Sequence, residues 1–208
     1  MQISNKLSIM KNLKFLFVFI FLTSSACLIA QEESYKIPNV IDVIHSRKSV
    51  RTYSGKHVSD EKLEILLRAG MAAPSAMNKQ PWFFILVNDT ILLKELGGNI
   101  MFATMLNQAS AAIVVCGNMK NVSSVLPEYW VQDCSAATEN ILLAAEGIGL
   151  GAVWVGLYPA KERVKKVRKV LNMPNHLVPL CVVSIGYPTG IEKPKNKWDP
   201  DKIHKNKW

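Results

Sequence analysis

The chain is short of acid, cysteine and histidine. Its 208 residues hold 16 Asp and Glu against 25 Lys and Arg, with four Cys and four His. So few cysteines exclude a disulfide-dense mini-protein. No Cys-x-x-Cys or His-x-x-x-His pair occurs, so the spacing of a zinc site is missing as well. Internal repeats and low-complexity linkers are also lacking, and nothing divides the chain into separate modules. The apolar run Phe15–Leu22 is shorter than the roughly 18–20 residues that a membrane-spanning helix requires. What is present is a hydrophobic content of 49%, which excludes a disordered chain and can fill a sizeable core. The formal charge of +9 calls for an anionic partner: nucleic acid, a membrane surface or a phosphorylated small molecule.

Part of that charge belongs to a leader. Lys6, Lys11 and Lys14 stand without an acid, then come Phe15–Leu22 and the small residues Thr23, Ser24, Ser25 and Ala26. Basic, apolar and small-residue stretches in that order make a secretory signal peptide. Residues 1–30 are therefore expected to be a leader, and 31–208 one domain. Processing is either cleavage after Ala30 or lipidation at Cys27, since Ser24-Ser25-Ala26-Cys27 resembles a bacterial lipoprotein signal; Met10 is an alternative start. The protein is expected in the periplasm or envelope, or in the cytoplasm if the leader is idle. Losing the leader removes three Lys and Cys27, leaving +6 and the three thiols of Cys116, Cys134 and Cys181. Cys116 and Cys181 sit in apolar runs and read as small buried hydrophobes.

The remaining sequence alternates helices and strands. A short helix runs from Pro38 to about Ser46. A second follows Ser59 as N-cap, with Asp60 and Glu61 in its first turn and Leu63, Leu66, Leu67 and Gly70 at helical spacing. Helices are also expected at Thr90–Leu96, ended by Gly97-Gly98, at Tyr129–Ile148, and at Ala160–Leu171. Continuous apolar runs at Trp82–Val87, Ala111–Cys116, Ala152–Val155 and Leu180–Ile185 read as strands, the first buried on both faces. The implied class is α+β, a central sheet wrapped by helices. Lys161, Arg163, Lys165, Lys166, Arg168 and Lys169 lie on one helix with Val164, Val167 and Leu171 turned inward, which makes them a solvated face rather than a nucleic-acid stripe.

Two segments carry chemistry. Ser46-Arg47-Lys48-Ser49-Val50-Arg51 gathers three cations and two hydroxyls, enough to surround a phosphate or to form a solvated basic turn. Ala73-Pro74-Ser75-Ala76-Met77-Asn78-Lys79-Gln80-Pro81-Trp82 holds two amides, Asn78 and Gln80, in a loop stiffened by proline. Amides donate and accept together, which suits the edge of a heteroaromatic ring as well as a capped turn.

Five segments in register resemble the nitroreductase family. They are Arg47–Arg51, Ala73–Trp82, Gln132–Ala145, Gly149–Gly156 and Ile185–Pro188, and the likeness spans essentially all of residues 31–208. The resemblance implies an α+β fold with a mostly antiparallel sheet wrapped by helices, an intertwined homodimer, and FMN held non-covalently at the subunit interface. It also implies an oxidoreductase in which hydride passes, in ping-pong order, from a reduced donor such as NAD(P)H through flavin N5 to a nitroaromatic or quinone-like acceptor. Other reactions occur on similar folds, dehalogenation and flavin fragmentation among them. A secreted basic anion-binding protein is the remaining alternative.

The resemblance also assigns residues. Arg47, Lys48, Ser49 and Arg51 match the segment at the FMN phosphate and one side of the ring. Pro74, Ser75 and Asn78 match the loop facing the flavin, with Asn78 at its pyrimidine edge. Val155, Gly156 and Leu157 match the strand end whose N–H groups approach O4 and N5; many relatives carry an acid where Gly156 stands. Lys195 or Lys197 takes the place of a C-terminal Arg on the phosphate, keeping the charge without the bidentate fork. No side chain is assigned as catalytic acid or nucleophile, because the flavin supplies the chemistry. His45, His57, His176 and His204 are read as structural or surface residues. The tail ends in Trp208, which would anchor it on a partner subunit.

Overall fold

The computed structural model describes residues 39–208; the leader expected at 1–30, Cys27 and the start of the first helix at Pro38 lie outside the described residues. Five helices and four strands follow in order: α1 Val40–Ser46, α2 Asp60–Met71, β1 Trp82–Val87, α3 Thr90–Asn99, β2 Ala111–Asn118, α4 Tyr129–Gly147, β3 Gly151–Gly156, α5 Lys161–Val170 and β4 Leu177–Gly186. The strands form one antiparallel sheet in the order β1-β2-β4-β3. The α+β expectation holds.

Side-chain alternation explains the layering. On β2, Ala111, Ile113 and Val115 enter the core shared with α2 and α4, while Ala112, Val114 and Cys116 enter the core shared with α3 and α5. On β4, Cys181, Val183 and Ile185 take the first face and Val182 the second. The two central strands are thus buried on both faces, as continuous apolar runs require. The longest helix, α4, presents Cys134, Ala137, Thr138, Ile141, Leu142 and Ala145 to the sheet at helical spacing. On α5, Val167 is buried while Lys161, Lys165, Lys166 and Lys169 are exposed, so its cations form an outward face.

Some elements differ from the sequence expectation. β1 is an edge strand among the described residues and is only partly covered: Trp82, Phe84 and Leu86 pack into the first core and Ile85 and Val87 into the second, but Phe83 is 45% exposed. α3 continues through Gly97 and Gly98 to Asn99. A Cβ on Gly97 would stand 2.6 Å from Asn107 Oδ1, the tip of an exposed side chain that can turn aside. β4 starts three residues early, at Leu177, and carries Pro179 beside an irregularity in its pairing with β2, where a missing N–H is tolerated. Ser59 occupies the N-cap of α2 without a side-chain cap bond, whereas Asp89 caps α3 by accepting from Leu92 N–H at 2.8 Å.

The three described thiols are free and buried. Burial pushes Cys116 and Cys181 up to about 12 and raises Cys134 as well. They behave as inert core residues. Among the described residues no helix is long and apolar enough to cross a membrane, and no group of His, Cys, Asp or Glu is arranged for a metal ion.

Candidate functional site

The basic turn leaves α1 and lies across the end of the sheet. Ser49 bridges in parallel to Ala152 of β3, and Val50 N–H donates to Ala152 O at 3.0 Å. Room for this segment comes from Gly151 and Gly186, which face each other across β3 and β4. A Cβ on Gly151 would stand 2.6 Å from Val50 Cγ1, and one on Gly186 would stand 2.8 Å from the Tyr53 ring. Tyr53 O–H donates to Val50 O at 2.9 Å and Ser184 O at 3.2 Å, closing the turn over the sheet. Burial pushes this phenol up to about 12, so it stays a neutral donor.

α4 holds the same turn from its other side. Lys48 Nζ reaches Glu146 Oε1 at 2.9 Å, and Arg47 Nε lies 3.4 Å from Glu139 Oε1. Seven residues separate the two acids, about two helical turns, so they share one stripe of the helix. The Lys48 charge is committed to Glu146. Arg47 approaches Glu139 through Nε, and its terminal nitrogens make no hydrogen bond among the described residues.

At the far end of the chain, Pro194, Lys195, Asn196, Lys197 and Trp198 return to Ile44, His45 and Arg47. Together they enclose a cavity of about 630 Å³. Among the described residues no carboxylate lines it. Neither lysine has an acidic partner among the described residues. Arg51 and Thr52 contribute their backbone N–H groups to Glu192 Oε1 at 2.8 and 3.0 Å. Ser49 is half-buried at its bridge to β3.

The second loop is anchored nearer the start of α4. Ala76 N–H donates to Asp133 Oδ1 at 2.8 Å, and Asp133 is buried. Inside the loop, Ser75 Oγ accepts from Gln80 N–H at 3.0 Å and Asn78 Oδ1 accepts from Gln80 Nε2 at 2.7 Å. Met77, Asn78 and Gln80 hold left-handed φ values of 50°, 52° and 47°, a strained run for non-glycine residues. Asp133 and Glu146 are about 20 Å apart by helical rise, so α4 sets the spacing between the two loops' anchors. Pro74 stands where α2 gives way to this loop.

At the end of β3, the Val155 and Leu157 side chains are buried in the core beneath α3 and α5. Leu157 N–H donates to Leu180 O at 2.9 Å and is therefore taken by the sheet. Gly156 is the open position: a Cβ there would meet only Trp154 Nε1, at 3.9 Å. Its carbonyl accepts from Arg163 Nη1 at 3.1 Å.

A sequence model of the Nitroreductase family matches residues 44–118 and 101–187. The chain belongs to the nitroreductase family. A protein of Archaeoglobus fulgidus, provisionally named an NADH dehydrogenase/NAD(P)H nitroreductase, is 48% identical over 171 residues, covering 81% of this chain and 98% of its own. The solved structure of the FMN-dependent nitroreductase from Clostridium difficile R20291 is 30% identical with a TM-score of 0.74, covering 81% of this chain and 99% of that one. A provisionally assigned nitroreductase from Desulfovibrio desulfuricans, solved in complex with FMN, is 26% identical with a TM-score of 0.70, covering 82% and 98%.

In this nitroreductase-family chain the structure brings Arg47, Lys195 and Lys197 to one cavity and directs Lys48 to α4 instead. His45, set aside as structural or surface, lines that same cavity with Trp198. Sequence reasoning also passed over four acids that hold the loops: Glu139, Glu146, Asp133 and Glu192. Two of them left a trace, because Glu139 and Glu146 recur at i, i+7 on a long helix. Asp133 left another, as an acid on an otherwise apolar helix face. Glu192 left none.

Proposed function

We propose that the chain binds FMN through the cavity at Arg47, Lys195 and Lys197 and works as a nitroreductase-type oxidoreductase on small aromatic or quinone-like acceptors. The convergence of these three cations from distant parts of the chain, around about 630 Å³ with no acid among the described lining residues, carries the reading. That donor set fits the dianionic phosphate of FMN. Arg47 offers a planar fork and the two lysines offer point charges, which are the usual ligands of such a group. Ser49 adds a hydroxyl on the same turn. FMN, when bound, supplies the chemistry by accepting a hydride equivalent from a reduced donor and passing it to the acceptor.

The chain's own residues bind and orient. The loop at Pro74, Ser75 and Asn78 offers amide and hydroxyl groups in a backbone held off its relaxed conformation, and Gly156 leaves open space at the strand end. The reading includes NADH or NADPH as donor and a homodimer as the working form. Val40, Ile41 and Ile44 on α1, exposed beside the cavity, support a second copy packing there. Export through the leader at 1–30 is the alternative to a nicotinamide donor: NADH and NADPH are cytoplasmic, so either the leader is idle or an exported chain takes its electrons from another donor. Cell fractionation with sizing of the mature chain tests that part.

The purified protein should be yellow, release FMN on denaturation, and bleach when NADH or NADPH is added without oxygen. Arg47→Ala should weaken FMN binding by about tenfold or more, the usual effect of removing one charged hydrogen-bonding partner. A colourless protein that takes up no FMN refutes the reading. A dimer in sedimentation is expected; a monomer that retains FMN would remove the subunit-interface part.

A further inference from the structure

The C-terminal segment carries its lysines to the cavity along a track that can be followed bond by bond. Ser54 N–H donates to Tyr187 O at 2.9 Å, Tyr53 bridges to Pro188, and Thr189 N–H donates to Thr52 O at 3.3 Å. Glu192 Oε1 then accepts from both Arg51 and Thr52 N–H. Among the described residues this is the last hydrogen bond between the tail and the basic turn. Lys195 follows three residues later and Lys197 five. One oxygen taking two successive backbone N–H groups is how a bound anion is held in a backbone nest.

An acid beside a phosphate site is at first sight out of place, since its charge opposes the ligand's. Here the charge is spent on the backbone of the very turn that bears Arg47. Partial burial pushes the Glu192 carboxyl up, but the N–H donors of Arg51, of Glu192 itself and of Thr52, together with the Thr52 hydroxyl, prevail and hold it below the usual carboxylate value. Glu192 Oε2 is enclosed without a hydrogen-bond partner among the described residues, and the hydrogen bonds to the turn's backbone both fall on Oε1.

We infer that Glu192 is a positioning residue: its carboxylate fastens the C-terminal segment to the Arg51–Thr52 backbone and thereby delivers Lys195 and Lys197 to Arg47. The inference rests on the FMN reading and sharpens it, because it makes recognition of the phosphate depend on this clasp. Riboflavin, which lacks the phosphate, is the built-in control.

The test compares the wild-type chain with Glu192→Ala, Glu192→Gln and Lys195→Ala/Lys197→Ala. Dissociation constants for FMN and riboflavin are read by flavin fluorescence, and amide hydrogen exchange is followed at Arg51, Thr52 and 189–198. Glu192→Ala should cost FMN about tenfold or more while riboflavin changes by less than about twofold, as expected for loss of charge-assisted bonds that serve only the phosphate. Exchange at Arg51 and Thr52 should accelerate. Glu192→Gln, which keeps a neutral acceptor, should fall between. The double lysine variant should lose the same preference for FMN with its Arg51 and Thr52 amides still protected. Adding Glu192→Ala to it should cost FMN nothing more.

A wild-type chain that prefers FMN, together with a Glu192→Ala chain that keeps the preference or its amide protection, overturns the clasp alone. Equal weakening of both flavins in Glu192→Ala and Glu192→Gln overturns it too, as a general loss of structure. A wild-type chain that binds neither flavin overturns the FMN reading and this role with it.

Discussion

Gly151→Ala tests how the basic turn is seated. The added Cβ would stand 2.6 Å from Val50 Cγ1, 2.8 Å from Val50 Cβ and 3.0 Å from Val50 Cγ2. Carbon atoms pack best at about 3.5–4.0 Å, so the closest approach is about 1 Å too short. Val50 has little freedom to withdraw, because it is buried and its N–H is bound to Ala152 O at 3.0 Å. Overpacking of this kind costs about 1–3 kcal/mol, and a stretched backbone bond adds about 1 kcal/mol. For a domain of this size each kcal/mol lowers Tm by about 2–4 °C, so the drop should be about 4–16 °C. Calorimetry measures it. FMN affinity should fall as well, since Ser49 and Arg47 precede Val50 on the displaced segment. Val50→Ala removes both Cγ atoms and leaves only the 2.8 Å contact with Cβ. The double variant should therefore be destabilised by less than the sum of the two single changes. Strict additivity, or a Gly151→Ala chain as stable as wild type, would refute the packing account.

Three further outcomes are expected. Asp133→Ala leaves the Ala76 N–H without its partner and should cost about 1–3 kcal/mol in urea unfolding, with faster amide exchange over 74–81. Asp133→Asn, which keeps an acceptor oxygen, should cost clearly less, and equal losses would show that the bond is not what matters. In a Cys27→Ser background, Cys116, Cys134 and Cys181 should ignore Ellman's reagent at pH 8 in the folded state and all react on unfolding. Rapid labelling of the native protein would contradict their burial. The depressed Glu192 carboxyl adds stability that is complete above its ordinary value of 4.5 and is lost as the pH falls through the lower folded-state value. The urea midpoint of Glu192→Gln should therefore fall less than that of wild type between pH 7 and pH 3; parallel curves would remove Glu192 from the acid response.

Element type and order could be read along the chain because periodicity is a local property. The strands at 111 and 180 are unbroken apolar runs, and the helix at 129 repeats its apolar residues at helical spacing. Even so, the run Trp82–Val87 reads like the two central strands, and only pairing placed it at the edge with Phe83 exposed. Gly97 and Gly98 read as a helix end. Only the structure shows the helix continuing through both of them to Asn99.

The sequence by itself determined the helix and strand inventory, the cationic turn, the amide-bearing loop and the family resemblance, all of which are carried by residues close together in the chain. Tertiary structure alone decided what those cations do. Lys48 turns to Glu146, 98 positions away, while Arg47 meets Lys195 and Lys197 almost 150 positions on. Glu192 reaches back to Arg51 across 141 positions. Charge can be counted on the chain, but whether a charge is spent on a partner or left for a ligand depends on which distant groups folding brings within a few ångströms.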